Sequence, residues 1–349
     1  MKICSIGFLL FTINISAFEP ICSNPRLFSK KEVKHTFTSE ENKNSNQLII
    51  YSVNPPTPID WSTPGKAFKS IFRNSFIKEG YEVEDRDNEG NAITRKQNIK
   101  THFIGHMFMK ISCKGFPEIL TGMTSPGKEE ISGLMIDGKS FQQILSPTKG
   151  HFNSSNELNE EIEIRKAKVG NLNYMGINLT DSSCQELLGY FTEFHACGVS
   201  SKYGGLNSNP HKGEGAGCSA FAISFLQRLG IVKPIDELSS QDFGNQFMRE
   251  INIPKIMLVN NGKDPEIGAW GLLKGNKISW ANDEINGRKV KFFDPELFSD
   301  WVKNYSIENK ITGLQYLGKD GNKLINGVWF EEIVPTPVKS NLSINYLLE

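Results

Sequence analysis

One cysteine in this chain carries more chemical promise than any other residue. Residues 211–229 read HKGEGAGCSAFAISFLQRL, so Gly213, Gly215 and Gly217 lead into Cys218. From there Cys218, Phe221, Ala222, Phe225, Leu226 and Leu229 recur at three- and four-residue spacing, which predicts a helix opening at Cys218. A thiol in a first helical turn meets the positive end of the macrodipole, which favours the nucleophilic thiolate. The unpaired N–H groups of that turn can hold a developing oxyanion. Gly215, Gly217 and Ser219 then form the rim of a cleft that a substrate backbone can approach closely. The competing reading is structural: Cys218 also falls on the apolar stripe, where a thiol acts as a small core side chain. A phosphate loop is excluded, because no Gly-Lys-Ser/Thr follows the glycines. Their G-x-G-x-G spacing also differs from a dinucleotide fingerprint.

A thiolate nucleophile takes its proton acceptor from a histidine. The six histidines are His35, His102, His106, His151, His195 and His211, and all precede Cys218. Thr101 to Ser112 (THFIGHMFMKIS) alternates as a strand, with His102, Ile104, His106, Phe108 and Lys110 on one face. His106 is the candidate base, and His102, two residues further along that face, is its rival. His211 lies in the glycine loop as a candidate cleft residue. His195 ends an apolar helix, while His151 and His35 read as exposed loop residues. Tyr203 lies near the cleft, as a substrate contact or as ordinary packing. No C-x-x-C or H-E-x-x-H spacing points to a metal, and no organic cofactor is expected. Glu129-Glu130 and Glu160-Glu161 are adjacent pairs and read as solvated charge, not as a glycosidase couple.

The segment GCSAFA at 217–222 resembles the nucleophile helix of NlpC-type papain-like hydrolases. The segment IGHMFMKI at 104–111 resembles the histidine strand of their circularly permuted branch, which includes lecithin:retinol acyltransferase-like proteins. In that branch the histidine strand precedes the cysteine helix. The resemblance implies an α+β, papain-like fold with a permuted core. It assigns the nucleophile to Cys218 and the base to His106. A third polar residue on the next strand would orient the histidine, with Glu118, Thr121 and Thr124 as candidates. The implied activity is a thiol-dependent hydrolase or acyltransferase, acting on a peptide or lipid-like substrate through an amide or ester bond. The alternative is a secreted, non-catalytic binding or structural protein that recognises its partner through the Trp-rich C-terminal part.

The remaining elements must position these residues. Leu48 to Val53 predicts a first strand, and residues 65–77 a short helix. The charged stretch 82–99 reads as a loop. Phe116 to Met123 returns from the histidine strand as a hairpin, and residues 131–145 add a strand and a short helix. Glu161 to Val169 (EIEIRKAKV) alternates as an edge strand. Cys184, Leu187, Leu188, Phe191 and Phe194 mark a helix with a Ser183–Glu186 capping box, closed at Gly198. Asp294-Pro295 starts another, with Leu297, Phe298, Trp301 and Val302 inward.

Residues 1–17 have the basic start, apolar run and small-residue end of a secretory signal peptide, with export expected. Residues 18–47 read as a polar extension, 48–233 as the catalytic domain, and 234–349 as a C-terminal α+β extension or second domain. Residues 234–349 hold four of the five tryptophans. After cleavage five cysteines remain, so at least one thiol has no partner within the chain; Cys184 and Cys197 are spaced for a disulfide. The 39 basic and 39 acidic residues balance, which argues against general nucleic-acid binding. No later apolar run is long enough to span a bilayer.

Overall fold

β1 (Gln47–Val53) is apolar at nearly every position because both of its faces are covered. Leu48 and Ile50 point into one core, and Ile49, Tyr51 and Val53 into another, as a two-residue period requires. The computed structural model describes residues 46–125, 148–166, 171–204, 208–258, 267, 271–272, 278–308, 316–317 and 324–330. The predicted signal peptide, almost all of the polar extension, the 131–145 elements, Glu129-Glu130 and His35 lie outside them.

β1 is flanked antiparallel by β4 (His106–Ser112) and β9 (Leu172–Asn178), with His106 opposite Val53. β5 (Ile119–Thr121) continues the sheet beyond β4, and three two-residue strands follow, β6 (Met123–Thr124), β7 (Thr148–Lys149) and β8 (His151–Phe152), with β6 paired to β8. On the other side β14 (Leu324–Phe330) lies parallel to β9, and β13 (Tyr316–Leu317) follows, giving the order β13-β14-β9-β1-β4-β5. α1 (Pro64–Phe76) begins where Thr63 caps the Lys66 N–H and Pro64 takes the first turn. α2 (Ser155–Ile164) packs Leu158 and Ile162 on the sheet face that carries Phe108 and Tyr51. α3 (Asp181–Ala196), α4 (Cys218–Arg228) and α5 (Pro295–Glu308) contribute Phe191, Phe221 and Phe298 to the opposite face, against Met107 and Met109. The fold class is therefore α+β.

Several sequence expectations need correction. Residues 82–99 are not a loop but the greater part of a hairpin, β2 (Gly80–Arg86) and β3 (Ala92–Asn98). Its side chains are charged because most of both strands faces solvent. The histidine strand starts only at His106; Gly105, at φ 82°, ends a turn in which its N–H bonds the His102 carbonyl. Glu161 to Ile164 is helix, not edge strand. The four-residue spacing of Leu158 and Ile162 faces a core, and that burial outweighs the short-range alternation. α3 is capped by Thr180, which accepts from the Ser183 N–H, so it starts before the Ser183–Glu186 box. Cys184 pairs with Cys113, not Cys197, tying the end of β4 to the start of α3. Cys197 is also disulfide-bonded.

The described parts of 234–349 pack on the same framework. α5 buries Phe298 and Val302 in the first core, and β14 extends the sheet. β11 (Met248–Pro254) and β12 (Gly287–Phe293) form a separate ribbon over Phe68 of α1, with Ile253, Val290 and Phe292 beneath it.

Candidate active site

Cys218 is the first residue of α4, and Gly217 before it makes no side-chain cap. The helix starts here because the preceding glycines cannot sustain it and the apolar stripe from Phe221 onward must be buried. Gly215 has φ 108°, and a Cβ there would lie 2.7 Å from the Lys202 carbonyl oxygen, so this approach admits only glycine. The carbonyl of Lys202 accepts from the Ala216 N–H and fixes the loop beside the helix start. Cys218 is the free cysteine among the described residues, and it is 5% exposed. The Ser219 hydroxyl lies 3.8 Å from its sulfur.

Tyr203 adds what the sequence left open. Lys202 and Tyr203 form the short strand β10, paired with Thr148–Lys149. The Tyr203 hydroxyl lies against Cys218, within reach of both its thiol and its backbone N–H. Burial, then a charge on Cys218 and the contact with its thiol, push the phenol well above its usual range. Tyr203 is therefore a neutral hydroxyl at the sulfur.

His106 occupies a different environment. It shares the β4 face of Phe108, and its ring stacks on His102 with centroids 4.3 Å apart and 7° between planes. α2 covers this face, whereas α4 packs on the other. No described hydrogen bond, ring contact or ion pair joins His106 to Cys218. Burial above all, and then the charge of His102, hold the His106 imidazole well below its ordinary value. The Asn153 side chain faces it and partly offsets this by favouring the charged ring.

Behind the two rings lies a buried charge network. His102 Nε2 is 2.8 Å from Glu161 Oε1, and the same oxygen accepts from Arg165 Nε at 2.8 Å. Arg165 is fully buried and also reaches Glu79, Asn171 and the Lys100 carbonyl. Burial pushes the Glu161 carboxyl up. The charge and hydrogen bond of His102, with the charge of Arg165, outweigh this and hold it well below the carboxylate range. Glu161 is thus a structural anion, not the solvated charge expected of a Glu-Glu pair. The signal for it was the Glu161–Arg165 spacing of four on a helix.

No family model, curated protein or solved structure matches this chain.

The other expected site residues separate. His211 does not line the Cys218 cleft. Its Nε2 is 3.2 Å from Gln227 Oε1 and its ring stacks on Tyr190, beside the far end of α4. Nine residues of helix, about 13 Å of rise, part Gln227 from Cys218. Burial and then the charge of Arg228 hold His211 down to about 4. Glu118 accepts from Ser112 Oγ and pairs with Lys110, and Thr121 Oγ1 bonds the Asn153 carbonyl. Thr124 Oγ1 bonds its neighbour's carbonyl. Among the described residues no hydrogen bond joins any of the three to His106, which lies against His102 and Asn153. His195 meets Ser200 and Phe152, and His151 is exposed.

Proposed function

We propose that this chain is an exported thiol-dependent hydrolase or acyltransferase with Cys218 as its nucleophile, built on a permuted papain-like core. The observation that carries the reading is the placing of one unbonded thiol at an uncapped helix start, in a chain whose Cys113, Cys184 and Cys197 are disulfide-bonded. Disulfides belong to oxidising compartments, which supports export. Among the described residues no helix is long and apolar enough to cross a membrane.

In this reading the Cys218 thiol gives up its proton, and the thiolate attacks the carbonyl carbon of an amide or ester. A C–S bond forms, and the carbonyl oxygen takes the negative charge. The N–H groups of the first turn of α4 hold that oxyanion. The C–N or C–O bond then breaks, the leaving group takes up a proton, and water or an acceptor resolves the thioester. Tyr203 positions the sulfur. The resemblance gives the base to His106, whose neutral ring would accept the proton. Because its ring lies on the α2 side of the sheet, that role requires the ring to move past the start of β4.

The test is the pH dependence of Cys218 alkylation by iodoacetamide in the disulfide-intact protein, with the labelled site read by mass spectrometry. A thiolate that reacts below pH 7, and is lost in His106→Ala, supports the pair. Reaction unchanged in that variant removes His106 from the mechanism. A Cys218 that labels only on unfolding assigns it to the core and overturns the proposal.

A further inference from the structure

We infer that the cleft between the β11–β12 ribbon and the segment before α1 is a binding site for a neutral saccharide. The cavity is about 380 Å³ and is lined by two indoles, Trp61 and Trp280, with Arg249, Asn252, Asp283 and Lys289 among its polar walls. That volume is within the small-ligand range. The indoles come from positions far apart in the chain and stack at 6.5 Å with 27° between planes. Trp280 Nε1 donates to the Trp61 carbonyl at 2.6 Å, which fixes their relation.

The polar walls define the ligand. The charged groups are already engaged: Lys289 with Glu250 and Glu284, and Arg249 with Asp294 and over the Trp61 ring. Asp283 accepts from Asn286. With Glu250, Asp283 and Glu284 against Arg249 and Lys289 on its wall, the cleft disfavours anions. The amides of Asn252 and Asn282 and the carboxylate of Asp283 on the same walls offer both donors and acceptors. A ring bearing several hydroxyls uses both and lays its apolar C–H face against indole at once, without needing charge.

The cleft shares no lining residue with the Cys218 site, so the two readings fail independently. The experiment is a tryptophan-fluorescence and calorimetric titration of the disulfide-intact chain with chitotriose and cellotriose, and with tetramethylammonium and inorganic phosphate as charged comparisons. A saturable response to either trisaccharide is expected. It should weaken at least tenfold in Trp280→Ala, or in Trp280→Phe should the alanine variant not fold, with the thermal midpoint of the tested variant unchanged. Asn252→Ala should weaken it as well. Three outcomes overturn the inference: silence toward both sugars, equal binding in the folded variant, or a response confined to tetramethylammonium or phosphate.

Discussion

Removing the guanidinium of Arg165 tests whether the network under the stacked histidines holds the α2 side of the fold together. Arg165→Met keeps most of the side-chain volume and deletes four polar contacts: with Glu161 and Asn171 at 2.8 Å, the Lys100 carbonyl at 3.0 Å and Glu79 at 3.3 Å. Glu161, 5% exposed, is then an anion whose remaining described partner is His102. Breaking a buried ion pair from one side costs about 3–5 kcal/mol, because the partner charge stays buried without compensation. With a urea slope of about 3 kcal/mol/M, the midpoint should fall by about 1–2 M. Adding Glu161→Gln should recover part of the loss, since no anion is then stranded. The pH dependence has a definite sign. In the native chain Glu161 is depressed, so its contribution is present at neutral pH and lost as pH falls below the ordinary value of 4.5. In the variant the carboxyl loses a cation and its pKa rises. The folded variant therefore takes up a proton before the unfolded chain does, and the gap from native narrows between pH 7 and about 4.5. Urea unfolding followed by circular dichroism at both pH values reads this. A loss under about 1 kcal/mol, or an equal loss at both pH values with no recovery in the double variant, refutes the argument.

Two further outcomes follow from the structure. Replacing Cys113 and Cys184 by serine opens a loop of 71 residues; chain entropy sets the cost at about 4 kcal/mol, visible as a lower thermal midpoint. His211, held down to about 4, contributes stability that is present above its ordinary 6.5 and lost as pH falls between those values. The span corresponds to about 3 kcal/mol, and His211→Gln should flatten that part of a stability-versus-pH curve.

The strongly periodic elements were legible. Continuous apolar character marked β1, and the stripes of Phe191 with Phe194 and Phe221 with Phe225 marked α3 and α4. The helix start at Cys218 also follows from glycine placement, while which thiol stays unbonded does not follow from the cysteine count. What the sequence hid was long-range. The alternation in EIEIRK imitates a strand, and only burial against Phe108 makes it helix. The strand parity of His106 was readable, but which face each helix covers is a tertiary matter, and it places His106 with α2. Tyr203 reaches Cys218 only because β10 pairs with a strand more than fifty residues earlier. The disulfide partner of Cys184 was likewise set by the sheet that brings β4 under α3.

The parallel strand β14 has a consequence for how the chain is made. Its residues pair with β9, about 150 positions earlier in the sequence, so this edge cannot be completed until late in synthesis. Until then the backbone groups of β9 that β14 will cover have no strand beside them, and an uncovered edge recruits other chains. An export route that moves the polypeptide before folding would keep that edge from its neighbours until the closing strand arrives. Truncation ahead of residue 324 should therefore yield an aggregating chain.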